Sequence, residues 1–127
     1  MLKLINTISK KKEEFIPLSK DKVTIYQCGP TVYSHQHIGN MESVVRGDLI
    51  RRGLIYLGYN VEFTRNITDV GHLVSDEDEG EDKMEKSAKR EGLSPTEIAN
   101  KYSKIFHNDI TKLNCLPPDN ETKASEY

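Results

Sequence analysis

Two stretches of the chain carry the side-chain pattern of a β-strand. Residues 23–28 are rich in β-branched and aromatic side chains and stop at a Gly-Pro pair, which breaks regular structure. Residues 60–65 alternate, because Val61 and Phe63 stand between polar neighbours. We therefore predict a strand at each stretch.

The segment between these two strands predicts a helix. Over residues 41–58 the apolar side chains recur with an imperfect helical period; Gly53 weakens the helix, and Gly58 suits its C-terminal cap. A strand, a helix and a strand in this order predict a βαβ unit with a right-handed crossover, and hence a parallel sheet. The apolar residues of the predicted helical face are Val44, Val45, Leu49, Ile50, Leu54, Ile55 and Leu57.

The segments before and after this unit are more polar. Residues 2–6 predict a short strand, and residues 7–20 predict an irregular connection. The acidic run at 75–82 predicts a mobile loop, because its like charges repel one another. Its spacing does not fit a calcium-binding EF-hand loop.

Two further helices are predicted towards the end of the sequence. Residues 83–91 form the first, which ends at Gly92. The second starts at Ser94, whose hydroxyl suits a cap, and Glu97 three residues later completes a capping box. The side of this helix that we expect to be buried carries Ile98, Tyr102, Ile105, Phe106 and Leu113, and the pair Pro117 and Pro118 ends it.

The composition fits a small protein with one core. Of the 127 residues 35% are apolar, and the formal net charge is −2, whereas proteins that hold nucleic acid through broad electrostatic attraction are usually basic. The two cysteines do not make a secreted disulfide framework. The sequence predicts neither a signal peptide nor a membrane helix, so we expect a cytoplasmic protein with reduced thiols and no membrane partner.

Candidate chemistry concentrates in the loop between the first predicted strand of the βαβ unit and its helix, at residues 28–40. Ligands of α/β proteins usually bind where strand ends meet helix starts, and a helix N-terminus attracts phosphate. Gly39 allows a ligand to approach the backbone closely, and His37, just ahead of the helix, is placed to donate to a phosphate oxygen. The loop therefore predicts a nucleotide site.

The same loop resembles a known family. The run from His37 to Asn40, His-Ile-Gly-Asn, resembles the HIGH signature of class I aminoacyl-tRNA synthetases. Together with Cys-Gly-Pro-Thr-Val-Tyr at 28–33 and Arg-Asn-Ile-Thr-Asp-Val at 65–70, it is similar to cysteinyl-tRNA synthetases in particular. The resemblance extends over essentially the whole chain. It implies an α/β, Rossmann-like nucleotide-binding domain with a parallel sheet, of which residues 1–127 are the N-terminal part.

The resemblance also implies an activity and its residues. In the family, ATP with Mg²⁺ activates L-cysteine to cysteinyl-adenylate, and the cysteinyl group is then transferred to tRNA(Cys). A zinc ion selects the substrate through its thiolate, which suits a soft ligand better than a serine hydroxyl does. The implied roles are catalytic for His37 and Asn40, ATP-binding for His37, Gly39, Asn40 and Thr31, substrate-binding for Gly29 and Thr68, and zinc-binding for Cys28.

Several parts of the family pattern lie outside this sequence. The remaining zinc ligands, the KMSKS-type lysine loop and the anticodon-binding domain lie beyond it in the family, and His72 and Cys115 do not match zinc positions. The run at 83–87, Lys-Met-Glu-Lys-Ser, resembles the lysine loop but comes too early and lacks its middle. We therefore expect a fragment, a truncated relative or one piece of a split protein, inactive by itself.

Three functions remain open at this point. The first is a cysteine–tRNA ligase represented by its N-terminal part. The second is a ligase that joins cysteine to an amino-sugar, as in mycothiol synthesis, and the third is a truncated paralogue that binds nucleotide or a partner subunit. We expect His35 to be a loop residue and His72 and His107 to be structural or surface residues. Asp69 is expected to cap the next segment.

Overall fold

In the computed structural model, which describes residues 2–20, 22–70 and 83–126, the chain forms five strands, three α-helices and one turn of 3₁₀-helix. In chain order they are β1 (Lys3–Asn6), β2 (Lys11–Glu14), β3 (Val23–Gln27), α1 (Ile38–Tyr56), β4 (Val61–Ile67), α2 (Lys83–Glu91), α3 (Pro95–Lys112), β5 (Asn120–Lys123) and the 3₁₀ turn (Ala124–Glu126). His72 and the acidic run at 75–82 lie outside the described residues.

The main sheet is parallel, and its described strands have the order β3-β4-β5. Val23 pairs with Val61 at one seam, and Thr64 pairs with Asn120 at the other. Helix α1 connects β3 to β4, as the pattern of the sequence predicts. The βαβ unit and the α/β, Rossmann-like class are confirmed.

Strand β5 was not predicted, because its four residues, Asn-Glu-Thr-Lys, are all polar. Parallel pairing with β4 and two hydrogen bonds of Asp119, the residue just before the strand, hold β5 in place. The N–H of Asp119 donates to the carbonyl of Phe63 (2.9 Å), and the N–H of Phe63 donates to the Asp119 carboxylate (2.7 Å). Such a strand leaves no hydrophobic pattern for sequence reasoning to find.

The N-terminal segment forms an antiparallel hairpin of β1 and β2. Strand β1 confirms the prediction for residues 2–6, but the irregular connection predicted for 7–20 is wrong over β2. The sequence of β2, Lys-Lys-Glu-Glu, is exposed throughout, so it pairs through its backbone without burying an apolar face. The rings of Phe15 and Tyr59 make a T-shaped contact next to β4, with their centroids 5.8 Å apart.

Helix α1 begins at Ile38, three residues before the predicted start, and buries a mixed face. Val44 and Leu54 are buried beside Asp48 and Arg51. Leu49, Ile50, Ile55 and Leu57 of the predicted apolar face are exposed instead. The apolar residues of α1 recur with an imperfect period because two residues of its buried face, Asp48 and Arg51, are charged.

The buried charges of α1 hold the loop that precedes β5. Arg51 donates to the carbonyl of Pro117 (2.6 Å) and to the carboxylate of Asp119 (2.9 Å). Asp48 accepts from the N–H of Leu116 (2.8 Å). These bonds fix the approach to β5, and they compensate the charges for their removal from water.

Helices α2 and α3 form most of the buried core. Ser94 caps α3 in the predicted capping box with Glu97, and Gly92 ends α2 with φ of 67°, a conformation that favours glycine. Of the predicted buried face, Leu113 is an exposed cap residue instead, whereas the unpredicted Ile110 is buried. The buried cluster comprises Val32, Val44, Ile67, Met84, Ala88, Ile98, Ala99, Tyr102, Phe106 and Ile110.

Helices α1 and α3 cover the same face of the main sheet. Phe63 and Arg65 of β4 point to that face; Arg51 of α1 lies over the Phe63 ring (5.3 Å), and Arg65 lies over the ring of Phe106 in α3 (5.7 Å). The opposite face is polar, and its Tyr26 is 62% exposed. In the part of the chain that the structure describes, no helix is long and apolar enough to cross a membrane.

Candidate functional site

The carboxyl end of β3 leads into a loop held tightly against β4. Cys28 follows the strand and is exposed. The N–H of Gly29 donates to Oδ1 of Asn66 (2.9 Å), and a Cβ at Gly29 would lie 1.7 Å from the carbonyl oxygen of Asn66. Only glycine permits this approach, so Gly29 fixes where the Cys28 thiol emerges.

The next residues of the loop run beside the end of β4. The N–H of Thr68 donates to the carbonyl of Pro30 (3.0 Å), and the N–H of Val32 donates to the carbonyl of Thr68 (3.1 Å). Thr31 and Thr68 thus face each other in a parallel bridge. Three of the predicted site residues, Gly29, Thr31 and Thr68, therefore meet at the carboxyl ends of β3 and β4.

His37 has a structural role that sequence reasoning missed, because it is the N-cap of α1. Its Nδ1 accepts from the N–H of Gly39 (3.1 Å), and Oδ1 of Asn40 accepts from the N–H of His37 (3.3 Å). These bonds form a capping box without the usual serine or threonine, which explains why the predicted helix started too late.

The cap also sets the chemistry of the His37 ring. A neutral imidazole carries one proton, and Nδ1 accepts a hydrogen bond, so the proton resides on Nε2. The exposed ring therefore offers an N–H donor at the start of α1, where the helix already carries partial positive charge. Both properties suit an anion.

Two neighbouring depressions open at this end of the sheet. The first, the His37 pocket, has a volume of ≈ 170 Å³; the second, the Cys28 pocket, has a volume of ≈ 140 Å³. Asn40 lines both. The His37 pocket is lined by Thr31, Tyr33, Ser34, His35, Gln36, His37, Asn40 and Lys83, and the Cys28 pocket by Cys28, Gly29, Pro30, Asn40, Ser43, Val44 and Phe106.

The pockets bring together most of the predicted site residues. Thr31, His37 and Asn40 share one, and Cys28 and Gly29 share the other with Asn40. Gly39 and Thr68 line neither. Gly39 acts through its N–H, which holds the His37 ring, and Thr68 through the backbone pairing that holds Thr31.

A buried arginine lies behind the Cys28 pocket. Arg65 is 1% exposed, and its Cγ would be 3.1 Å from a Cβ at Gly29. Its Nη2 donates to Oε1 of Gln27 (3.0 Å), whereas its Nε and Nη1 have no hydrogen-bond partner among the described residues. Burial lowers the pKa of this guanidinium, although arginine stays charged in proteins. Sequence reasoning could have found Arg65 from its position two residues after Phe63, because alternate residues of a strand lie on the same face.

The other residues singled out by sequence have structural contacts. The His35 ring contacts the Tyr102 ring edge-on at 5.4 Å, and Nε2 of His107 lies 2.8 Å from the Glu121 carboxylate. Asp69 accepts from the N–H (2.9 Å) and the hydroxyl (2.7 Å) of Ser125.

A metal site is not assembled by the described residues. Among residues 2–20, 22–70 and 83–126, no three His, Cys, Asp or Glu side chains are grouped closely enough to hold a metal ion. Burial raises the pKa of the Cys115 thiol, which disfavours the thiolate that a metal needs. Cys28 by itself does not fit zinc, which takes at least three protein ligands.

Comparison with known proteins relates this chain to the aminoacyl-tRNA synthetases. A family model for the catalytic domain of class I (C) tRNA synthetases matches residues 14–127. The cysteine–tRNA ligase of Treponema denticola is 52% identical over 99% of this chain, that of Phocaeicola vulgatus 47% over 99%, and that of Deinococcus radiodurans 44% over 98%.

The match covers only part of the length of each of these relatives. This chain spans 26% of the first two and 25% of the third, about a quarter of their length. Because the family model matches most of the chain, including the residues of both pockets, this chain belongs to the family of class I (C) tRNA synthetase catalytic domains.

Proposed function

We propose that this chain is the N-terminal part of a cysteine–tRNA ligase, which joins L-cysteine to tRNA(Cys) at the expense of ATP. The supporting observation is that the His37 and Cys28 pockets adjoin at Asn40, in a chain 52% identical to a cysteine–tRNA ligase. A pocket with anion donors next to a second small pocket suits a reaction between ATP and a small second substrate. That this substrate is cysteine follows from the relatives. The expected location is the cytoplasm, with reduced thiols.

The His37 pocket is proposed to hold the α-phosphate of ATP, accompanied by Mg²⁺. The Nε2–H of His37 donates to a non-bridging oxygen, and Asn40 supplies a second polar group. Gly39 keeps the imidazole oriented, and Thr31 contacts the nucleotide. The cysteine carboxylate attacks phosphorus in line, pyrophosphate leaves, and the charge that develops on the phosphoryl oxygens is stabilised by these donors.

The Cys28 pocket is proposed to hold the amino acid. Gly29 and Thr68 position the amino acid at the carboxyl ends of β3 and β4. Cys28 is proposed as one thiolate ligand of a zinc site completed by regions that the relatives carry beyond the matched quarter. Since the described residues do not fit a zinc ion, no reaction step is assigned to the metal.

The relatives named above favour this function over the two alternatives, an amino-sugar ligase of the mycothiol type and a stand-alone paralogue. The acceptor distinguishes the tRNA ligase from the amino-sugar ligase. The first transfers cysteine to tRNA(Cys) but not to the amino-sugar, and the second does the reverse. We expect no ligase activity from these 127 residues tested by themselves, because they cover only about a quarter of the length of the relatives.

The test is a chimera in which this chain replaces the matched quarter of the Treponema denticola enzyme. We expect cysteine-dependent exchange of pyrophosphate into ATP, followed by charging of tRNA(Cys), with serine inactive. A Cys28→Ser chimera serves as the matched control, and it should lose both bound zinc and cysteine-dependent exchange. A folded chimera that exchanges no pyrophosphate would contradict the proposed function.

A further inference from the structure

The lining of the His37 pocket suits an anion, and the pocket is larger than the α-phosphate alone requires. Its described lining residues carry hydroxyl, amide and imidazole groups and one ammonium, from Lys83, but no carboxylate. On the same measure a cavity of about 10–15 Å³ holds one water molecule, whereas the pocket has a volume of ≈ 170 Å³. Space therefore remains for an anion several times larger than water.

Lys83 reaches this pocket from a different part of the chain. It is the first residue of α2, and its Nζ lies 5.8 Å from the centroid of the Tyr33 ring. This cation–π contact is weak compared with a charge-assisted hydrogen bond to phosphate. The flexible stem of lysine lets the ammonium leave the ring when an anion enters the pocket.

Buried contacts fix α2 against the pocket loop, so the position of Lys83 is determined by packing. The hydroxyl of Ser87, which is 4% exposed, donates to the carbonyl of Tyr33 (2.7 Å). Met84, next to Lys83, is 1% exposed and belongs to the same buried cluster as Val32 of the loop. The loop and α2 therefore hold the His37 ring and the Lys83 ammonium at one pocket.

We propose that Lys83 is a phosphate-binding residue that contacts the β- and γ-phosphates of ATP, and hence the departing pyrophosphate. This inference rests on the proposed function, since it needs the nucleotide in the His37 pocket. His37 and the start of α1 serve the α-phosphate, and Lys83 adds a full positive charge from a second element. Its charge offsets the negative charge that collects on pyrophosphate as the bond to the α-phosphate breaks.

The test measures binding of MgATP, inorganic pyrophosphate and AMP to the purified chain by calorimetry. For Lys83→Gln we expect Kd for ATP and for pyrophosphate to rise roughly tenfold or more, as for the loss of one charge-assisted hydrogen bond. Kd for AMP and the thermal midpoint stay unchanged, and Lys83→Arg recovers most of the ATP affinity. Lys86→Gln is the matched control, because Lys86 is exposed on the same helix and does not line the pocket.

The outcomes separate this inference from the proposed function. Wild-type chain that binds ATP, with Lys83→Gln binding it equally well, overturns the role of Lys83 and leaves the proposed function standing. An equal loss of AMP and ATP affinity also overturns it, since the effect would then come from displaced structure. Wild-type chain that binds no ATP counts against the proposed nucleotide site, and against Lys83 with it.

Discussion

At the scale of single residues, Gly29 and Gly53 show why two glycines of one chain are not equivalent. A Cβ at Gly29 would meet the carbonyl oxygen of Asn66 at 1.7 Å, whereas a Cβ at Gly53, in the middle of α1, would meet nothing within 4 Å. The first glycine is required by the close approach of loop and strand. The second only lowers the stability of a helix, since glycine is more flexible than alanine in the unfolded chain.

Matched alanine substitutions should therefore have opposite effects. We expect Gly29→Ala to lower the free energy of unfolding by about 1–3 kcal/mol, as overpacking does, and Gly53→Ala to raise it by about 0.5–1 kcal/mol. Urea unfolding followed by circular dichroism measures both. Equal effects of the two substitutions would show that the contact with Asn66 does not constrain the loop.

His37 has two roles, as cap and as donor, and one substitution separates them. Asparagine is a good N-cap but lacks an outward ring N–H, so His37→Asn should keep the stability of α1 and still weaken ATP binding by roughly tenfold or more. His37→Ala should lose the cap as well, at a cost of about 1 kcal/mol. Calorimetry with ATP, together with urea unfolding, checks both. Unchanged ATP affinity in His37→Asn would exclude the ring as a ligand.

At the scale of elements, α2 and α3 are joined by one carboxylate at the end of α2. Glu91 accepts from Nζ of Lys101 and from the hydroxyl of Tyr102, both at 2.5 Å. The hydrogen bonds from Lys101 and then Tyr102 lower the pKa of Glu91 from 4.5 to about 2. The charged form of Glu91 thus stabilises the pairing of the helices that hold Lys83 beside the His37 pocket.

This pKa shift has a defined consequence for stability in acid. Because the folded-state value lies below the unfolded one, the stabilisation is complete above pH 4.5 and is lost as the pH falls towards 2. The Tm of the wild type should therefore exceed that of Glu91→Gln at pH 6, and the difference should shrink across this window. A difference that is independent of pH would show that the charge of Glu91 does not contribute.

At the scale of the whole molecule, the described surface includes an apolar stripe along α1. Leu49, Ile50, Tyr56 and Leu57 recur at helical spacing and are 62%, 50%, 90% and 52% exposed. The polar face of the parallel sheet also has no helix over it among the described elements, although parallel sheets are usually covered on both faces. Contiguous exposed apolar surface of this kind generally marks a site of association.

The purified 127-residue chain should consequently self-associate through this stripe. We expect its apparent mass to rise with concentration in analytical ultracentrifugation, and the double substitution Leu49→Glu and Ile50→Glu to suppress the rise. Ile8→Glu is the matched control, because Ile8 is 94% exposed in the β1–β2 hairpin and lies apart from the stripe in sequence. Equal suppression by Ile8→Glu would mean that the association does not depend on α1.

The sequence by itself determined the elements whose physical cause is local. The βαβ unit, the capping box at Ser94 and the glycine that ends α2 follow from side-chain period, cap chemistry and backbone freedom, all of which act within a few residues. Five residues that line the two pockets had been named as site candidates, because their strings resemble one family; they are Cys28, Gly29, Thr31, His37 and Asn40. Local rules were not sufficient for β2 and β5, whose polar sequences pair through the backbone.

Only the tertiary structure decided what depends on contacts distant in sequence. The mixed buried face of α1 exists because Asp48 and Arg51 bind a loop more than sixty residues away. The buried place of Arg65 and the approach of Lys83 to the His37 pocket follow from packing between elements. The cap role of His37 is local, and it was missed because histidine is an unusual N-cap. Hydrophobic period reports which side of an element is apolar, but it does not report which polar groups find partners across the fold.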